Sequence, residues 1–131
     1  MYQLKNPQSF IHIVNVASLA ALYPLPYYSV YGASKAFVLS FSEALNYELR
    51  HSAISVSCLC PGDTNTNFFY NAGNTNKKKS LMSAERVAKA AVDGLYNKKT
   101  TIFPGSMKLI SKIPRAVLKK VIAMRVSKYK I

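Results

Sequence analysis

Phe10-Ile11-His12-Ile13-Val14-Asn15-Val16-Ala17-Ser18 and Ile54-Ser55-Val56-Ser57-Cys58-Leu59-Cys60-Pro61-Gly62 bracket the part of the chain that decides its fold. Each is a short apolar run rich in β-branched residues, and each reads as a buried strand, at 10–16 and at 54–60. Between them, residues 17–29 read as a loop carrying Pro24 and Pro26, and Ser29 to Arg50 reads as a long helix. Strand, loop, helix, strand in that order predicts a right-handed parallel crossover unit of the α/β class. In such a unit a site lies at the C-terminal ends of the strands.

Three residues near that end carry chemistry. Tyr31 and Lys35 lie four apart in the predicted helix, so they share a face and place an ammonium beside a phenol. A neighbouring cation favours the phenolate, which makes the side chain usable as an acid or base at a carbonyl or alcohol. Ser18, at the end of the preceding strand, is placed to hold and polarise the same oxygen. The pair alone decides little, because a chain with nine tyrosines and fourteen lysines shows Tyr-x-x-x-Lys about once by chance.

With its context the pattern resembles the short-chain dehydrogenase/reductase family, whose active site is a Ser, a Tyr thirteen residues later and a Lys four beyond that. Ser18, Tyr31 and Lys35 have that spacing. The family's next strand runs into Pro-Gly with a Thr four residues on, as Pro61, Gly62 and Thr66 do here, and Asn15 at the strand end fits as well. The wording Asn15-Val16-Ala17-Ser18, Lys35-Ala36-Phe37-Val38-Leu39-Ser40-Phe41-Ser42-Glu43-Ala44-Leu45 and Cys60-Pro61-Gly62 resembles a bacterial subgroup of NAD(P)-dependent members. The likeness continues, more weakly, through Leu81-Met82-Ser83 and Phe103-Pro104-Gly105.

The resemblance implies hydride exchange between NAD or NADP, NADP being the favoured of the two, and a small apolar carbonyl or alcohol substrate. Tyr31 is then the proton donor, Ser18 holds the oxygen, and Lys35 serves the phenol and the nicotinamide ribose. Pro61, Gly62, Thr64 and Thr66 join Tyr31 and Lys35 in contacting the cofactor.

The family's N-terminal features find no match. Its glycine-rich pyrophosphate turn, its NAD/NADP selector, its Asn-Ala-Gly strand and its helical catalytic Asn have no counterpart before Ser18. Gly32, Gly62, Gly73, Gly94 and Gly105 are the five glycines, and no Gly-x-x-x-Gly-x-Gly can be written with them. The expectation is the C-terminal half of a doubly wound, Rossmann-like, three-layer parallel sheet, impaired as an enzyme in isolation. A partial catalytic domain would occupy 1–105 and a basic amphipathic segment 106–131.

At 131 residues and 50% hydrophobic, the chain is long enough for one core. The first strand would leave an open edge, a route to a homo-oligomer or to pairing with the missing N-terminal half.

The net charge of +13 is segregated. Residues 1–72 sum to zero, 73–104 to +5, and 105–131 to +8 with no acidic residue. In the last segment Lys108, Lys112, Arg115 and Lys119 recur at helical spacing, while Ile113, Val117, Val121 and Met124 form another face with Leu118 and Ile122 beside it, interrupted at Pro114. This predicts a terminal helix packing its apolar face on the body, with an anionic membrane surface as the alternative. Nucleic acid is disfavoured, because neither an aromatic platform nor a reader motif accompanies the charge. The competing functional class is therefore a non-catalytic association or membrane-surface module.

No apolar run approaches the roughly 18 residues of a membrane span, and Asn6, Pro7, Gln8 and Ser9 interrupt the place of a signal-peptide core. A cytoplasmic location is expected, with peripheral membrane contact through the tail as the alternative. Cys58 and Cys60, two apart in a strand, are expected as reduced, buried thiols, and scattered His12 and His51 argue against a metal site. Phe68, Phe69 and Tyr70 divide between a substrate lid and a short packed helix, Asn74 to Ser80 reads as a polar loop, and Tyr27 and Tyr28 divide between pocket wall and exposed loop. Ser83 is a helix cap, with Glu85 in the first turn of a helix reaching about Asn97 through Val87, Ala90, Ala91 and Leu95. Thr100 to Phe103 reads as the last strand.

Overall fold

The computed structural model describes residues 10–66, 81–105, 109 and 113–126. In chain order the elements are β1 (Ile11–Val16), a 3-10 turn (Leu19–Leu22), α1 (Ser29–Glu48), β2 (Ile54–Leu59), β3 (Thr64–Asn65), β4 (Met82–Ser83), α2 (Ala84–Tyr96), β5 (Thr101–Ile102) and α3 (Arg115–Val126). The expectations at 68–70 and 74–80 lie outside the described residues. Elsewhere the predicted boundaries hold to within two residues: α1 ends at Glu48 rather than Arg50, and the last strand shortens to two residues.

β1, β2 and β5 form a three-stranded sheet in that spatial order, and both pairings are parallel. Ile11 stands opposite Ile54, and the register runs without a break to Val16 opposite Leu59. Backbone bonding continues past the ladder, with Ala17 N donating to Leu59 O at 2.8 Å and Cys60 N to Ile102 O at 2.8 Å. A second, two-stranded parallel sheet joins β3 to β4, held at its start by Met82 N donating to Asp63 O at 3.1 Å.

Residues alternate across a strand, so polar partners reveal which helix covers which face. Asn15 of β1 donates through Nδ2 to Ser42 Oγ of α1 at 3.0 Å, and Thr101 of β5 donates to Glu43 Oε1 of the same helix at 2.8 Å. Cys58 is the register partner of both Asn15 and Thr101, so α1 covers the face bearing these three residues. Ile102, one residue on, points the other way and meets Gly94 of α2. The sheet therefore lies between two helical layers, as the α/β reading requires, and Val56, Ser57, Cys58 and Leu59 of its middle strand are all buried.

Two contacts fix α1 on the sheet. Asn46 Nδ2 donates to Val56 O at 2.6 Å while its Oδ1 accepts from Thr100 Oγ1 at 3.2 Å, so one mid-helix amide tethers both β2 and the approach to β5. At the other end, a Cβ on Gly32 would stand 3.2 Å from Leu25 Cβ, so the missing side chain lets the first turn of α1 close on the preceding loop. The buried cluster of Ala17, Cys58 and Cys60, with Val38, Leu39 and Phe103 against it, lies beneath these contacts.

α2 begins as the sequence predicts. Ser83 Oγ accepts from Arg86 N at 3.3 Å, and Glu85 is held below the usual carboxylate range by its own backbone N–H and then by the Ser83 hydroxyl. The stripe Val87, Ala90, Ala91 and Leu95 is half-buried. Gly94 sits deepest, and a Cβ there would stand 2.5 Å from Ile102 Cδ1, with Ile102 itself 3% exposed. Gly94→Ala is expected to destabilise the fold by about 1–2 kcal/mol, because overpacking outweighs the roughly 1 kcal/mol of helix propensity gained. A urea midpoint unchanged or raised in that variant contradicts the close approach.

The far edge of β1 has no partner among the described residues, and Ile11, Ile13 and Val16 are exposed there. The tail differs in one respect from the sequence reading. Leu118 is buried and Ile122 half-buried, whereas Ile113, Val117, Val121 and Met124, the face expected to pack, are exposed.

Candidate active site

The residues singled out by spacing converge at the C-terminal ends of β1 and β2. β1 ends in extended backbone at Ser18, whose side chain caps the 3-10 turn by accepting from Ala20 N at 3.2 Å. Leu19 N donates to Pro61 O at 2.9 Å and fastens this turn to the loop leaving β2. With its oxygen already accepting from the backbone, the Ser18 hydroxyl keeps its hydrogen for another acceptor.

Tyr31 and Lys35 lie in the first two turns of α1, both half-buried. Lys35 Nζ donates to Val16 O at 3.2 Å, at the very end of β1, and stands 5.8 Å from the centroid of the Tyr31 ring. One strand-end carbonyl thus orients the ammonium against the phenol. Two of the three ammonium hydrogens remain for other partners.

The loop after β2 contributes less uniformly. Pro61 and Gly62 are half-buried, and Pro61 is tied to the serine turn. Thr64 donates its hydroxyl to Gly62 O at 3.0 Å, so that hydrogen is spent inside the loop and only the oxygen can accept. Thr66 is exposed. Asn15, which fits the family pattern, turns its amide to Ser42 of α1.

Tyr23 escaped the sequence reading. Burial raises its phenol above the ordinary range, and the charges of Asp63 and Tyr31 raise it further, so it stays protonated beside them. Its only sequence signal is an aromatic residue in the loop between Ser18 and Tyr31. Tyr27 and Tyr28 are exposed, and Tyr27 takes a left-handed backbone, φ 67°.

Below the turn, Cys58 and Cys60 are buried free thiols with their sulfurs 4.0 Å apart, as expected for two cysteines on one strand face. The hydrogen bond shared with Cys58, in which Cys60 keeps the proton, and then burial, push the Cys60 thiol up. Among the described residues no group of three or more His, Cys, Asp or Glu side chains is placed to hold a metal. Two hollows of about 220 and 210 Å³ open by His12, one lined with Val92, Leu95 and Tyr96, the other with Arg50, Ser52 and Ser55 among others. Neither is lined by Ser18, Tyr31 or Lys35.

Residues 4–80 match the family profile described as short chain dehydrogenase, a span that contains every candidate site residue. The chain belongs to the short-chain dehydrogenase/reductase family of oxidoreductases. Similar curated proteins include 17-beta-hydroxysteroid dehydrogenase 13 of Rattus norvegicus, 35% identical over 84% of this chain and 39% of its own length. Estradiol 17-beta-dehydrogenase 11 of Mus musculus is 36% identical over 81% of this chain and 36% of its own length. The solved structure of a short-chain dehydrogenase from Sphingobium yanoikuyae in complex with NADPH superposes on 92% of this chain and 45% of its own, with TM-score 0.68 and 28% identity. The chain thus spans less than half the length of these relatives. The fold they share is Rossmann-like, of which the described residues form part.

No helix among the described residues is long and apolar enough to cross a membrane.

Proposed function

We propose that this chain is the active-site half of a nicotinamide-dependent oxidoreductase that interconverts an apolar carbonyl compound and its alcohol. The observation that supports this most directly is the Lys35 ammonium, held by the Val16 carbonyl and facing the Tyr31 ring. In this reading Ser18 donates its free hydroxyl hydrogen to the substrate oxygen and orients the carbonyl. Tyr31 delivers the proton to that oxygen, and Lys35 stabilises the phenolate left behind. Tyr23, kept as a neutral phenol, adds no charge beside Asp63 and Tyr31.

The donor set suits the nicotinamide end of NAD or NADP: an ammonium at the end of β1 with two hydrogens to spare, the Tyr31 ring 5.8 Å from it, and a threonine-bearing loop leaving β2. Lys35 would hold the ribose, and Pro61, Gly62, Thr64 and Thr66 the carboxamide end. When bound, the nicotinamide supplies the hydride, so hydride and proton together convert C=O to CH–OH. The Sphingobium relative is described in complex with NADPH, and a structural relative from Burkholderia phymatum in complex with NAD. An apolar substrate accords with relatives named for hydroxysteroids and, in Comamonas testosteroni, for bulky ketones.

These residues include no glycine-rich turn for the pyrophosphate, so helix-terminus phosphate binding has no counterpart here. The 131 residues alone are therefore expected to show no NADPH binding at micromolar cofactor in a fluorescence titration, and no reduction of an apolar ketone. Joined to a dinucleotide-binding half of the family, they are expected to reduce it. Micromolar affinity from a monodisperse preparation of the chain alone overturns the half-site reading, and an inactive but NADPH-binding fusion overturns the catalytic one.

A further inference from the structure

We propose that the exposed face of α3 is a docking surface for an anionic lipid bilayer, an inference independent of the catalytic reading. The helix divides its apolar residues between two sides. Leu118, 7% exposed, and Ile122 turn inward, while Val117 is 50% exposed, Val121 44% and Met124 65%. Their spacing of four and three residues makes one continuous stripe, and Ile113, exposed just before the helix, extends it at the N-terminal end. A helix that needed only to cover the body would bury its larger apolar stripe. This one leaves it in water.

Charge says what covers the stripe. α3 carries Arg115, Lys119, Lys120 and Arg125 and no acidic residue, and the 27 residues from 105 onward carry eight basic side chains with none to offset them. α2 shows the contrasting design of a solvated helix, with Lys89 paired to Asp93 one turn on at 3.3 Å and Glu85 in its first turn. On α3, Arg115 and Lys119 instead repeat one sign at a one-turn spacing, and Arg115 lies at the helix start, where the dipole disfavours a cation. The excess is unfavourable to the helix by itself and complementary to a dense external anion.

An aliphatic stripe on a helix whose charged residues are all cations suits an interfacial helix, whose apolar face sinks about 5–10 Å into the headgroup region while lysine side chains reach the phosphates. Nucleic acid fits less well, because no exposed aromatic side chain stands among the described residues of α3 to stack on bases.

The test is co-sedimentation of the full 131-residue chain with phosphatidylcholine vesicles, with and without phosphatidylserine. Binding is expected only with phosphatidylserine and is expected to be lost as salt rises, since surface charges are screened within about 8 Å at physiological ionic strength. Val117→Ser/Val121→Ser keeps the charge and alters only exposed positions, so far-UV circular dichroism should not change. Its partitioning is expected to fall about tenfold or more, through the apolar surface no longer inserted. Lys119→Gln/Lys120→Gln is expected to weaken binding and flatten its salt dependence. Equal binding to both vesicle types, or wild-type partitioning by the serine variant, overturns the proposal. So does failure to bind vesicles combined with light scattering that shows a serine-sensitive dimer, which assigns the stripe to a second copy. Tighter binding to single-stranded RNA than to the anionic vesicles also overturns it.

Discussion

Turnover is expected to fall by about 10² to 10⁴ in Tyr31→Phe, the range that a positioned acid–base group contributes, while nicotinamide cofactor affinity stays near its original value. The measurement belongs in a form of the protein that turns over, such as this chain joined to a dinucleotide-binding half. The substitution removes one oxygen and keeps the ring, so the 5.8 Å relation to the Lys35 ammonium and the first turn of α1 are preserved. What disappears is the proton delivered to the substrate oxygen. Ser18 cannot replace it, because a serine hydroxyl offers the oxygen a hydrogen bond without readily giving up its proton. Turnover within a few-fold of the original removes Tyr31 from the role of acid.

Lys35→Ala is expected to damage two steps together. Losing the ammonium removes a charge-assisted donor and the electrostatic support of the phenolate, for which a fall in kcat of about 10² to 10³ is the usual scale. The same ammonium is the proposed ribose contact, so cofactor affinity is expected to weaken about tenfold, the equivalent of one charged hydrogen bond. The Val16 carbonyl also loses its donor at 3.2 Å, and stability should drop by about 1 kcal/mol. Unaltered cofactor affinity, with kcat alone reduced, limits Lys35 to the proton step. Unaltered kcat with weakened affinity limits it to binding.

The crossover from β1 through α1 to β2 was legible because buried parallel strands read as unbroken apolar runs and a 20-residue helix has room for a long periodic pattern. Ser18, Tyr31 and Lys35 were singled out by the resemblance their spacing carries, since Tyr-x-x-x-Lys alone occurs about once by chance; their spacing of one helical turn and one strand end is what the structure shows of them. What escaped depends on contacts between distant segments. The Tyr23 phenol acquires its surroundings from Asp63, forty residues away, and Asn46 tethers two strands through an amide that looks like any helical polar residue. β3 and β4 are two residues each, too short for any period. In α3, adjacent apolar stripes present the same chemistry, and only the body's shape decides that Leu118 is seated while Val117 is not.

The chain steps from β1 to β2 to β5 in one direction across the sheet, yet α1 covers one face and α2 the other. The two connections therefore have opposite hand, and the near-universal right-handed preference is met by only one of them. The second connection passes through the paired β3 and β4 before α2 begins. It is fastened by Leu19 N donating to Pro61 O and by Met82 N donating to Asp63 O, the first of these on the turn that Ser18 caps. Substitutions in β3 and β4 leave the three-stranded sheet and the first turns of α1 in place, so the left-handed connection can vary in evolution while the right-handed unit beside it stays fixed.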